Sequence, residues 1–274
     1  MAEIWTRATR QRQPTGAVAV SRAAGLSGAW LYSSSPAKEQ IYDLVTGTRS
    51  TLQDTNNFLF PATYNGLLAG KNSNGSNVTA LRYDSAPSPF AGASQLSMLA
   101  FFIFDPTSFA SGQYVHWRQE FQHSIDVFSY TSSSITWGSD WAGAWNGASQ
   151  QTLSGLSPGN LVCIGSSITQ SGARLFHNGR FSGTKSGSSF GPLPSPGSVS
   201  VISGSRMPQL GGFAFRRALT DGEMVSYTAN PWQLFAPERR VSYFFPASGI
   251  PTLSAATAVS ITSTTATPRV TVTF

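Results

Sequence analysis

The 274-residue chain is long enough for one large domain or two small ones, and its 26 Gly and 16 Pro point to turns and strands rather than long helices. Only 11% of residues are charged, with a net charge of +6, so the surface is either rich in Gly, Ser and Thr or covered by partners. Cys163 is the only cysteine, which excludes an internal disulfide, and no apolar run approaches the roughly 20 residues that a membrane-spanning helix needs.

Residues 1–20 read as an extended basic arm carrying Trp5, Arg7, Arg10 and Arg12, either a loosely ordered tail or an interface anchor for another subunit. Arginines without interleaved aromatics leave a weak electrostatic footprint, so nucleic acid is not an expected partner. The start is basic but lacks the apolar region of a signal peptide, so the chain is expected in the cytoplasm until it is assembled or released. Residues 28–32 predict the first core strand, and 52–75 read as irregular. The most apolar run, 95–104, predicts a buried strand. Residues 113–118 and 124–131 alternate as paired antiparallel strands. In 134–145, Trp137, Trp141 and Trp145 are spaced as on a helix, but the glycines between them favour a strand and loop. Cys163, between apolar neighbours, reads as a buried strand residue.

Residues 160–167 and 173–177 predict two more strands. The Asn178-Gly179 pair then gives a strong hairpin signal, because both residue types tolerate positive φ. Residues 178–196 read as a Gly-Ser-Pro loop, and 199–203 as a short strand. Phe213 and Phe215 fall on one face of another strand. Thr220 with Glu223 three residues on forms a capping box, which predicts one helix over 221–229. Asn230-Pro231 stops it, and Trp232 and Phe235 supply an apolar anchor. Residues 239–245 are expected to return beside the first strand. After a Pro-Gly linker, Val259, Ile261, Val270 and Val272 mark strand-forming sequence with little charge. We expect it to pair with a neighbouring subunit.

Three pieces together carry a family resemblance: the Asn178-Gly179 hairpin, the strand running into Arg217-Ala218-Leu219-Thr220-Asp221-Gly222-Glu223, and Asn230-Pro231-Trp232-Gln233-Leu234-Phe235. Trp5, Pro14-Thr15-Gly16 and Gly28-Ala29-Trp30 add to it. The chain resembles the laminin-G-like members of the concanavalin A-like superfamily, in particular those of bacteriophage virion proteins. The resemblance covers about residues 5–240 and implies an all-β, antiparallel β-sandwich of jelly-roll type, with one short helix and extended terminal arms. Three parts are expected: a basic arm at 1–20, the sandwich at 21–245, and a linker with a strand-prone arm at 246–274. In that family Asp43 to Gly47 is the turn after the first strand, and calcium often sits at a rim. Only Asp43, Asp54 and Asp84 are candidate ligands here, so no metal and no cofactor are expected.

Enzyme chemistry is not expected either. Glycosidases need two carboxylates flanking the bond, and the nearest pair, Glu120 and Asp126, would lie about 20 Å apart along a strand. The expected function is that of a non-enzymatic virion structural protein, a capsid decoration or a tail or vertex component. It would be a homo-oligomer partnered by capsid or tail subunits and located in the virion after assembly in the host cytoplasm. The alternative is a glycan-binding module of a phage tail or fibre, with Trp137, Trp141 and Trp145 as a sugar platform.

Overall fold

The computed structural model describes residues 19–20, 23–31, 43–47, 51–52, 58–64, 67–72, 79–83, 93–106, 115–119, 123–141, 150–186, 199–203, 207–236, 241–244, 259–262 and 269–272. In chain order the strands are β1 (Ala19–Val20), β2 (Leu26–Leu31), β3 (Thr51–Leu52), β4 (Phe58–Tyr64), β5 (Leu67–Asn72), β6 (Thr79–Tyr83), β7 (Leu96–Ile103), β8 (Val115–Gln119), β9 (His123–Tyr130) and β10 (Ser134–Trp141). There follow β11 (Gln151–Ser154), β12 (Leu161–Thr169), β13 (Gly172–His177), β14 (Arg180–Ser186), β15 (Val199–Ser203) and β16 (Gln209–Phe215). Helix α1 (Asp221–Ala229) and a 3-10 turn (Pro231–Leu234) come next, then β17 (Phe235–Ala236), β18 (Val241–Phe244), β19 (Val259–Thr262) and β20 (Arg269–Val272).

The fold is an antiparallel β-sandwich with one short α-helix among the described residues. One sheet runs β14-β13-β12-β7-β16-β5-β4, with β2 also paired to β16, and the other runs β11-β10-β9-β8-β15-β6-β3. The sheets face each other through β7, β12 and β13 on one side and β9 and β10 on the other. Ser139 on β10 donates to Ser166 on β12 across the gap at 3.1 Å, and the Trp137 and His177 rings meet edge to face at 6.2 Å.

Every residue of β7 is buried because both of its faces are covered. Strand alternation sends Met98, Ala100 and Phe102 toward the second sheet. Leu99, Phe101 and Ile103 point the other way, into a cluster with Phe213, Phe215, Met224, Trp232, Leu234 and Phe235. The segment 219–235 therefore covers the outer face of the first sheet. Trp232 is 3% exposed and sits edge-on to Phe101 at 5.2 Å, while Phe235 lies 4.7 Å from Phe213. Phe215 stacks on Tyr227 at 5.9 Å.

Polar contacts pin both ends of this cover. At the start, Ser97 Oγ accepts from Leu219 N (2.8 Å) and donates to Arg217 O (3.1 Å), while Ser167 Oγ donates to Leu219 O (2.8 Å). The capping box is formed: Glu223 N donates to Thr220 Oγ1, and the Glu223 carboxylate accepts from Thr220 N. Arg217 grips the same carboxylate with both terminal nitrogens and reaches Ala24 O through Nε. At the far end, Asn178 (φ 43°) and Gly179 (φ 76°) make the tight turn between β13 and β14. The Asn178 side chain accepts from Cys163 N at 2.8 Å, and Gly179 N donates to Thr228 Oγ1 at 3.1 Å. A Cβ on Gly179 would lie 2.8 Å from that of Ala229, so the turn is pressed against the helix.

The hydrogen bond from Arg217, then those from Thr220, hold the Glu223 carboxyl down at about 2 against its partial burial. A depressed folded pKa gives stability above the unfolded value of about 4.3 that is lost as pH falls through the folded one. With both side chains 30% exposed, solvent screening limits the pair to about 1 kcal/mol. The melting-temperature gap between wild type and Glu223→Gln is expected to be full at pH 6 and to shrink between pH 4.5 and 2. A gap that stays constant over that range contradicts this assignment.

Several expectations from the sequence are corrected. Residues 58–72 are not irregular but form the β4–β5 hairpin, with Tyr64 opposite Leu67. Residues 180–186 are not loop but β14, the outermost strand of the first sheet. Strand β18 does not return beside the first core strand. It pairs with β20, and β19 pairs with β20 on its other side, so Val259, Ile261, Val270 and Val272 lie in a sheet made within this chain. The short β1 instead closes the domain by pairing with β17. Trp5, Arg7, Arg10 and Arg12 lie outside the described residues.

Candidate functional site

Trp137 cannot belong to the expected aromatic platform. Trp137 is fully buried, because the register of β10 against β9 turns it into the gap between the sheets. A ring with no exposed face cannot stack on a sugar. Trp141 ends β10 with its backbone opposite His123, and Trp145 lies outside the described residues. His177, against Trp137, is held below its ordinary pKa by burial and then by the Arg180 charge. Burial likewise pushes the Cys163 thiol well up, so it is no nucleophile.

The rim acid Asp43 is also committed. It is 3% exposed, and its carboxylate accepts from Ala29 N (3.0 Å), Val45 N (2.9 Å) and Thr46 Oγ1 (2.8 Å). It staples the turn ending at Gly47 (φ 72°) to β2 through both carboxylate oxygens. Asp54, Asp84 and Glu120 lie outside the described residues, and Asp126 is placed on β9 opposite Gly138 and His116. Among the described residues no group of three or more His, Cys, Asp or Glu gathers as a metal site.

The arrangement best suited to a ligand lies on the outer face of the first sheet, where the cover stops. Ser167 on β12 is opposite Arg174 on β13, and Arg174 is opposite Thr184 on β14. These three side chains form one row across the sheet. With Thr169, Ser171, Lys185 and Leu219 they line an open groove of about 260 Å³. Four of the lining residues carry hydroxyls and Arg174 supplies the cation on this face, while Lys185, opposite the inward Ala173, alternates to the other face of β14.

Sequence folding explains this placement. The outward alternation of β13 gives Phe176 to the apolar cluster under α1 and leaves Arg174, one step further on, past the end of that cluster. The Arg174 guanidinium lies 4.7 Å over the ring of Phe181, a large apolar side chain that is 47% exposed, and Phe181 rests edge-on against Phe176 at 5.5 Å. Arg174 also pairs with Asp221, the first residue of α1. The groove floor is fixed by the bonds from Ser97 and Ser167 to Leu219 already described.

None of Arg174, Ser167, Thr169, Ser171, Phe181, Thr184, Lys185 or Asp221 was a candidate site residue from the sequence. The available signal was the scarcity of charge. In a chain with 11% charged residues, Arg174 and Asp221 within the same fold-defining stretch stand out.

No protein family matches the sequence, and no curated protein does. Solved structures do. The fold is similar to part of a sialidase. The sialidase of Trypanosoma rangeli in complex with 2,3-difluorosialic acid matches with a TM-score of 0.51 at 11% identity, over 84% of this chain and 38% of that one. The same enzyme with a 2,3-difluoro-KDN derivative gives 0.50 at 11% identity over the same shares. The CBM40 module of a Ruminococcus gnavus sialidase, bound to alpha2,3 sialyllactose, scores 0.35 at 13% identity over 54% of this chain and 91% of that one. The chain thus spans well under half the length of the Trypanosoma sialidase. At such identities the likeness concerns the fold.

These findings correct the expected membership of the laminin-G-like domains of bacteriophage virion proteins. Sialidase structures are among the folds found similar, and the expected capsid or tail partners and virion location fall with that resemblance. The physical reason is plain in the structure. The Asn178-Gly179 turn, the capping box and the Trp232 anchor all serve to fasten the cover onto the sheet. Features that build a sandwich recur wherever that sandwich is used and say little about what it binds.

Proposed function

We propose that this chain is a non-enzymatic glycan-binding module and that the groove at Arg174 and Thr184, floored by Ser167, is its binding face. The observation that carries the reading is the registered row itself. Neighbouring strands stand about 4.8 Å apart, so the Arg174 guanidinium and the Thr184 hydroxyl are spaced across a width comparable to one pyranose ring, while Ser167, 3% exposed and donating to Leu219 O, forms the floor beside them. A groove of about 260 Å³ falls just below the roughly 300–1,000 Å³ of drug-sized sites, which suits one sugar unit of a longer glycan. Its lining is hydroxyls, small apolar groups and the Arg174 cation, with the Asp221 carboxylate held against Arg174, so it offers hydrogen bonds and charge to a sugar. The sugars in the similar Trypanosoma sialidase structures are 2,3-difluoro derivatives of sialic acid and of KDN. They make acidic glycans the first class to try.

The test is an array of neutral and acidic oligosaccharides probed with wild type and Arg174→Gln. Hydrogen bonds to a charged group contribute roughly 1.5–3 kcal/mol, so the variant is expected to bind about tenfold or more weakly. Absence of binding by wild type, or equal binding by the variant, contradicts the proposal.

A further inference from the structure

We infer that Asp221 is a built-in counter-ion of the groove, which an anionic sugar must outcompete for Arg174 and a neutral sugar need not. The inference rests on the glycan-binding reading and deepens it by assigning a residue that sets ligand class.

Asp221 and Glu223 are the two acids in the first turn of α1, and their roles are separate. Glu223 completes the capping box and holds Arg217. The cap itself is made by Thr220, so Asp221 is not needed to start the helix. Its carboxylate instead reaches across to Arg174 through one oxygen and one guanidinium nitrogen. Both side chains are about half exposed, at 46% and 53%, so the pair is open to exchange with a solute. Arg174 is thus shared by two neighbours of different kinds, the Asp221 charge and the Phe181 ring, and stands opposite Ser167 and Thr184 in the sheet. A carboxylate or sulfate ester on a sugar would meet the Asp221 charge directly on reaching the guanidinium. A sugar hydroxyl would not, since it carries no charge to be repelled. Asp221 therefore penalises acidic ligands that do not form a close bidentate contact with Arg174, and leaves neutral ones unaffected.

The experiment titrates wild type, Asp221→Asn and Asp221→Ser with sialyllactose, sulfated lactose and lactose, with melting temperatures recorded to confirm folding. Asparagine keeps an acceptor near Arg174 and removes the charge. An exposed ion pair is worth about 0.2–1 kcal/mol, so both variants should bind the acidic probes about 1.4- to fivefold more tightly and lactose as wild type does. Equal or weaker binding of the acidic probes by both folded variants overturns the role of Asp221 while leaving the groove as a glycan site. Failure of wild type and variants alike to bind any of the probes overturns the groove reading and this inference with it.

Discussion

Replacing Trp232 with alanine is expected to lower stability by about 3–5 kcal/mol, the range for truncating a buried aromatic. That is a large share of the roughly 5–15 kcal/mol typical of a folded domain. The residue fastens the cover to the sheet: Trp232 is 3% exposed and touches Phe101 at 5.2 Å and Phe235 at 6.3 Å. Phe101 comes from β7, whose two faces serve the two halves of the core. The loss should therefore be global, seen as one cooperative shift in the denaturation midpoint. Trp232 Nε1 is buried without a hydrogen-bond partner, so the indole nitrogen contributes no bond to the fold. Trp232→Phe keeps a ring against Phe101 and loses no hydrogen bond, so it should cost clearly less than Trp232→Ala. A phenylalanine variant as damaged as the alanine one contradicts the packing account.

The second large effect is expected at Gly211. Strand β16 lies between β2 and β7, with Gly211 opposite both Leu31 and Phe101. A Cβ there would fall 2.2 Å from Trp30 O and 2.7 Å from Phe101 Cζ. A backbone oxygen of β2, itself paired to β16, cannot withdraw without moving that strand. Gly211→Ala is expected at or beyond the top of the roughly 1–3 kcal/mol range for overpacking. Gly222, in α1, is the control, since its Cβ would meet nothing within 4 Å. Alanine there should stabilise the helix by up to about 1 kcal/mol. Urea titration of the two variants should therefore move the midpoint in opposite directions.

The parts of the fold that were legible in the sequence are those fixed by local chemistry. The Asn178-Gly179 turn needs positive φ, and the helix starts at a reciprocal pair three residues apart. Each signal lies within a few residues, and both appear in the structure. The β4–β5 hairpin was missed although the two residues between Tyr64 and Leu67 are again Asn-Gly. The asparagine-rich stretches beside it masked the same signal. Trp137 was misjudged because spacing along one strand does not reveal which face is inward. That depends on the register with β9, where the pairing shifts between Thr136 and Trp137. The groove was illegible for a related reason. Ser167, Arg174 and Thr184 are dispersed in the chain and become one row only through the pairing of three strands.

The central claim is that a glycan sits on that row, and its most direct test is backbone amide mapping by NMR during titration with an acidic oligosaccharide. The account predicts shifts concentrated at Ser167, Thr169, Gly172, Arg174 and Thr184, with the buried Trp137 and the β10–β11 pair unmoved. Shifts that leave this row untouched and gather on the second sheet would place the binding face elsewhere and contradict it.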